Sequence, residues 1–149
     1  MSSESIDGGK PRYLLDTSAL LTFSGDEPGA DAVGLLLAKG RRGEVQLCMS
    51  FLTVMEAGYK AYQARGEDGL ALLLASLQQL PILRVDVSDE LIALAARMKG
   101  TYRLSLADAW VLATAKQLQA ILVHKDPEFE QAAAEVQLQP LPYRYSKGR

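Results

Sequence analysis

The sequence predicts an α/β protein whose parallel sheet is covered by helices on both faces. Three observations predict it. Short apolar runs alternate along the chain with longer segments of helical spacing. Those runs are apolar throughout rather than alternating apolar and polar, as strands buried on both faces require. The 149 residues, 48% hydrophobic and 23% charged, are enough for one domain with a sizeable core.

The elements follow in order. Residues 12–15 read as a short buried strand. "DEPGADAVGLLLAK" reads as a helix starting near Pro28, a residue suited to a first helical turn. "GRRGE" is a turn, and "VQLCM", Val45 to Met49, is a second apolar strand. "SFLTVMEAGYKAYQ" has helical spacing, and "RGEDG" ends it. "LALLLASLQQL" is a strongly apolar helix that stops before Pro81. "ILRVDV", Ile82 to Val87, is a β-rich strand. Ser88 is placed to cap the next helix, with Asp89 and Glu90 in its first turn and Gly100 to close it. Ser105 opens the helix "LADAWVLATAKQLQ". "AILVH" is a strand, "DPEFEQAAAE" a short helix and "VQLQPL" a last strand. Residues 1–11, polar and without an apolar signal-like core, read as a flexible tail, and 12–149 as a single domain.

Composition excludes some functions. A net charge of -2 and a pI of about 5.4 argue against coating nucleic acid by bulk charge, but not against an enzyme that touches a few phosphates. Lys39, Arg41, Arg42, Arg65, Lys99, Arg103 and Lys125 fall in or beside predicted loops and read as solvated surface charge. The lone Cys48 cannot form an intramolecular disulfide, which fits a reducing, cytoplasmic setting. No apolar run approaches the ~18 residues of a membrane span.

The informative residues are four acids. "YLLDTSALL" sets Asp16 inside an apolar run, where an isolated charge is costly. Glu56 lies early in the helix after the second strand, Asp108 in the first turn after Ser105, and Asp126 just past "ILVH". Each has a local explanation. Asp16 suits an Asx-turn, Glu56 a capping box with Thr53, Asp108 a helix N-terminus, and Asp126 an N-cap before Pro127. Jointly they say more. In a parallel sheet, strand ends and the starts of following helices share one edge, which gathers at least three of the four. Asp108 joins them if its helix starts at that edge. Carboxylates grouped at ~4–6 Å repel one another, and a hard divalent cation removes the repulsion. Without His or Cys neighbours, such a set suits Mg²⁺ or Mn²⁺ rather than Zn²⁺. No His or Cys pattern suggests a covalent intermediate.

In order, "LLDTSALL" with Asp16, "SFLTVMEAGY" with Glu56, "SLADAWVLATA" with Asp108 and "ILVHKDPEF" with Asp126 resemble the four acidic motifs of PIN-domain ribonucleases. The likeness is strongest to the VapC-type toxins of bacterial toxin–antitoxin pairs and runs from about Tyr13 through the final strand. It implies a three-layer α/β/α sandwich with a mainly parallel sheet. It also implies a Mg²⁺- or Mn²⁺-dependent endonuclease acting on RNA, a possible antitoxin partner and a homodimer. On this resemblance Asp16, Glu56, Asp108 and Asp126 form the metal-binding catalytic set, supported by the hydroxyls of Thr17 and Ser105. His124 departs from the pattern, which often has Thr or Ser there, and this bears on whether Asp126 binds metal directly. As the only His, His124 reads as a packed or surface side chain rather than a ligand.

Two other readings stay open at this level. One is a phosphotransfer domain, a receiver or an aspartate-phosphatase, in which Asp16 is phosphorylated and Lys125 is the strand-end lysine. "DTS" lacks the acidic pairing that either would bring. The other is a PIN-like scaffold without catalysis. No aromatic pair is clearly placed to stack on bases. Leu35, Leu36 and Leu37, and Leu70, Leu72, Leu73, Leu74 and Leu77, cover more directions than one core-facing stripe needs. They suit either deep burial or a surface for a second copy or an apolar antitoxin segment.

Overall fold

The structure, a computed structural model, describes residues 9–143. Most of the tail expected over 1–11, and the last residues of the 12–149 domain, lie outside the described residues.

Five strands form one sheet: β1 Arg12–Leu15, β2 Gln46–Ser50, β3 Ile82–Val85, β4 Ile121–His124 and β5 Leu138–Pro140. Their order is β3-β2-β1-β4-β5, and every neighbouring pair is parallel. Leu14 stands opposite Cys48 on one side and Leu122 on the other. Successive strand side chains point to opposite faces. Leu14 and Leu122 therefore enter one core while Leu15 and Val123 enter a second, and all four are fully buried. This explains why the central strands carry no polar alternation.

The helices are α1 Thr17–Ser24, α2 Ala30–Arg41, α3 Phe51–Gln78, α4 Asp89–Thr101 and α5 Leu106–Leu118, followed by a 3₁₀ helix at Pro127–Ala132. The first core takes Leu91, Ala95 and Met98 of α4 and Ala109 and Leu112 of α5. The second takes Ala19 and Leu20 of α1, Val33, Leu36 and Leu37 of α2, and Leu77 of α3. Helices thus cover both faces, and the architecture is the expected α/β/α sandwich. Among the described residues no helix is long and apolar enough to cross a membrane. Cys48 is a buried free thiol.

Several expectations need correction. The stretch after Asp16, to which the sequence assigned no element, is a helix of eight residues; Asp16 is its N-cap, its carboxylate accepting the Ser18 N–H as an Asx-turn does. Helix α2 begins at Ala30, because Gly29 at φ 103° holds a left-handed conformation just before it. "RGEDG" does end the first helical segment, as the sequence indicates, but it opens no loop. The helical path breaks only at Arg65 and Gly66, and Glu67 already belongs to the next turn. A Cβ on Gly69 would lie 2.6 Å from the Ala61 carbonyl oxygen, so the second half packs backbone-close on the first. Gly100 lies inside α4 rather than closing it. The stop is Tyr102, which is extended and tied through its hydroxyl to Glu135. Strand β3 ends at Val85 instead of Val87. "DPEFEQAAAE" forms a six-residue 3₁₀ helix, a length too short for a stable α-helix.

Candidate functional site

In parallel α/β sheets, sites form outside the carboxyl ends of the strands where the strand order reverses. Here that point lies between β1 and β4, since β2 and β3 extend the sheet one way and β5 the other. Asp16 directly follows β1, and Asp126 stands two residues past β4. Helix α5 feeds the parallel strand β4, so its N-terminus, with Asp108, starts at the same edge. That answers the condition the sequence left open for Asp108.

Local chemistry holds each acid. The Asp16 carboxylate accepts from the Ser18 backbone N–H at 3.2 Å and from the Ser18 hydroxyl. Its own N–H donates to the Val123 carbonyl at 3.0 Å. Burial pushes the Asp16 carboxyl up; the Ser18 hydrogen bonds oppose this, and the Glu56 charge adds to it. Thr17 donates to Glu56 Oε1 at 2.6 Å and lies 3.1 Å from the Thr53 hydroxyl. Both threonines are buried. Thr53 therefore does not close a capping box; the cap of α3 is Ser50, which accepts from Leu52 N–H at 3.1 Å.

Asp108 ties the set together. Its carboxyl is pushed up to about 8, first by burial, then by a hydrogen bond to Asp126 and by the charges of Asp126, Asp16 and Glu56. Asp126 thus meets it directly, while Asp16 and Glu56 act on it through their charge. Ser105 caps α5 by accepting the Asp108 N–H at 3.1 Å. Asp126 caps the 3₁₀ helix, its Oδ1 accepting the Glu128 N–H at 2.9 Å. That turn brings in Glu128, which sequence reasoning missed. Oxygens of Asp108, Asp126 and Glu128 lie within 4.8 Å of one another and could hold a metal ion. Ligands of one Mg²⁺ sit about 3–4 Å apart, so small side-chain rotations close the cluster. The donors are all carboxylates, as a hard cation prefers. The signal for Glu128 was present in "DPEF": an N-capping Asp with Pro next turns the residue after Pro back toward the cap.

His124 is fully buried between Phe129 and Tyr143, with ring centroids 5.1 and 6.1 Å away. Its Nδ1 accepts the Asp126 backbone N–H at 3.1 Å. Burial lowers its pKa, against the opposing charges of Asp126 and Glu130. The expectation of a packed side chain holds. Lys125 corrects another expectation. It is not solvated surface charge; its side chain is only 9% exposed, and its ammonium donates to Glu27 at 3.0 Å. Phe51 and Trp110 make an edge-to-face contact at 5.4 Å and pack on the core.

A different surface carries apolar character. A groove of about 430 Å³ along α3 is lined by Phe51, Val54, Met55, Tyr59, Tyr62 and Leu74, among others. Met55, Tyr59 and Tyr62 are about half exposed. The leucine clusters split between core and surface: Leu36, Leu37 and Leu77 are buried, while Leu35, Leu72 and Leu74 are exposed.

A parallel α/β/α sandwich with acids converging beside the switch point of its sheet defines the class. Within it, residues 13–135 match the family model for the PIN domain, and the chain belongs to that family. This removes the phosphotransfer reading. No curated protein sequence matches the chain. Solved structures match its fold at low identity. VapBC2 from Rickettsia felis, bound to a DNA fragment from its promoter, has a TM-score of 0.71 at 13% identity, covering 88% of this chain and 99% of that one. A toxin–antitoxin complex from Klebsiella pneumoniae has a TM-score of 0.64 at 20% identity, covering 89% and 99%. VapC20 of Mycobacterium tuberculosis, a toxin that cleaves the sarcin–ricin loop, has a TM-score of 0.64 at 16% identity, covering 86% and 99%.

Proposed function

We propose that this protein is a divalent-metal-dependent endoribonuclease and the toxin of a toxin–antitoxin pair. The observation that carries the reading is the grouping of carboxylate oxygens of Asp108, Asp126 and Glu128 within 4.8 Å, with burial and the charges of Asp126, Asp16 and Glu56 all raising the Asp108 carboxyl. Strongly perturbed carboxyls cluster at functional sites, where the repulsion between them has a use. Family membership and the likeness to toxin–antitoxin structures support the same reading.

In this reading Asp16, Glu56, Asp108 and Asp126 hold Mg²⁺ or Mn²⁺, and Glu128 joins them. A bound cation supplies charge stabilisation at the phosphoryl group and a water of lowered pKa. The chain's own groups do the positioning. Thr17 orients Glu56, Ser18 fixes Asp16, and Ser105 sets the start of the helix that carries Asp108. In this reading the carboxylates act as ligands rather than nucleophiles, and a water in the site is the attacking group.

The groove on α3 is assigned to an apolar antitoxin segment, and a second copy of the chain completes a homodimer. Co-purification with the product of an adjacent short gene tests the first, and light scattering the second.

Cleavage of structured RNA with Mn²⁺, with excess chelator, and by Asp16→Asn tests the activity. Loss in chelator, and a loss on the order of 100-fold or more in the variant, are expected. Cleavage that survives chelator, or an Asp16→Asn protein as active as the parent, overturns the reading.

A further inference from the structure

We propose that Ser18 is a positioning residue whose hydroxyl clasps the Asp16 carboxylate to the backbone that carries Asp126. The inference rests on the nuclease reading above. A serine hydroxyl has one proton to give and lone pairs with which to accept. Here the proton goes to Asp16 Oδ2, and a lone pair takes the Lys125 backbone N–H at 3.0 Å. The two partners belong to different strand ends. Asp16 follows β1, Lys125 follows β4, and the last backbone link between them is the Asp16 N–H to the Val123 carbonyl. Past Val123 the two chains diverge, one into α1 and the other toward the 3₁₀ helix. The Ser18 hydroxyl is the next link outward.

Capping does not account for this contact. Helix α1 is already capped when the Ser18 backbone N–H donates to Asp16, and any residue at position 18 supplies that donor. The hydroxyl adds something a cap does not need, a tie between one acid and the turn that bears another. His124 holds the adjacent amide, since its Nδ1 accepts the Asp126 N–H. Two consecutive backbone donors, at Lys125 and Asp126, are thus taken by side chains, and only the first leads back to another acid. Partners that orient metal-binding carboxylates set affinity even though they touch no metal.

The test compares Ser18→Ala and Ser18→Thr with the parent as full chains. Mn²⁺ binding is measured by calorimetry without RNA, and melting is measured in chelator. The expected result is about 10- to 100-fold weaker Mn²⁺ binding by Ser18→Ala, restored by Ser18→Thr, which keeps the hydroxyl. Parent-like Mn²⁺ affinity in Ser18→Ala overturns the proposal. So does a loss that Ser18→Thr fails to restore, or one confined to melting in chelator, which marks a purely structural role. Asp16→Asn separates the two levels of inference. If it binds Mn²⁺ and cleaves RNA like the parent, the nuclease site is wrong and the clasp falls with it. If Asp16→Asn fails while Ser18→Ala binds normally, only the clasp falls.

Discussion

Helix α3 shows two unlike faces within its first three turns. On one, Thr53 is fully buried and Glu56 is half-buried, both within hydrogen-bond reach of the single hydroxyl of Thr17. On the other, Met55, Tyr59 and Tyr62 stand about half exposed around an apolar groove. The polar face is finished within the chain: its groups have partners from α1, as buried polar groups require. Among the described residues the apolar face has no such partners, and an exposed apolar groove of this kind is the surface type that binding partners use. The same helix therefore carries a buried polar cluster on one side and an exposed apolar groove on the other.

Breaking the polar face gives the largest effect. Glu56→Gln keeps the shape and removes one charge from the set. Cleavage of RNA by this variant is expected to fall about 10²- to 10³-fold, the scale of losing one preorganised electrostatic group. Initial rates at saturating Mn²⁺ measure it. A rate near the parent's removes Glu56 from the site.

Thr17→Val comes next. It deletes the 2.6 Å bond that orients Glu56 but leaves the charge in place. Activity is expected to drop about 10-fold or more, as for other supporting partners. Stability should fall by about 1–3 kcal/mol, since buried partners lose their bonds. Denaturant unfolding and single-turnover kinetics together check both numbers.

Asp108→Asn has a smaller effect and an unusual sign. In the parent, a folded-state pKa of about 8 stands above the ordinary 3.8, so the folded protein holds a proton that the unfolded chain releases. That contribution is full below pH 3.8 and is lost as pH rises toward about 8. Metal-free parent should therefore become less stable across this window. Asn cannot ionise and still donates to Asp126, so the variant should lack that slope. Near pH 8 in chelator a gain of about 1 kcal/mol would raise its melting temperature by ~2–4 °C. Mn²⁺ should then reverse the rank by stabilising the parent more, since it binds the folded site selectively. A variant less stable than the parent at every pH, with equal metal response, would make Asp108 an ordinary helix-terminus acid.

The smallest intrinsic effect belongs to the apolar face. Met55→Ser is expected to change stability by no more than about 0.5 kcal/mol and to leave cleavage by the isolated protein unchanged. Its consequence should appear in partner capture alone. Undiminished co-purification of the antitoxin with Met55→Ser and Tyr59→Ser together would place the partner elsewhere.

Periodicity and composition determined much of this protein. Largely apolar runs at 12–15, 45–49 and 121–124 marked central strands because both sheet faces are covered, and the four acids stood out because a lone carboxylate in an apolar run needs a reason. Ser88 and Ser105 were legible as caps because capping is local chemistry. Tertiary structure decided what depends on distance between remote segments. Thr17 meets Glu56 across 39 positions, Ser18 meets Lys125 across 107, and Lys125 is buried against Glu27 across 98. No local pattern encodes those meetings, since they follow from strand order. Gly100 was misjudged for the same reason: the contact that ends its helix comes from Glu135, far along the chain. The residues named the chemistry, and the β1–β4 junction chose which of them would share it.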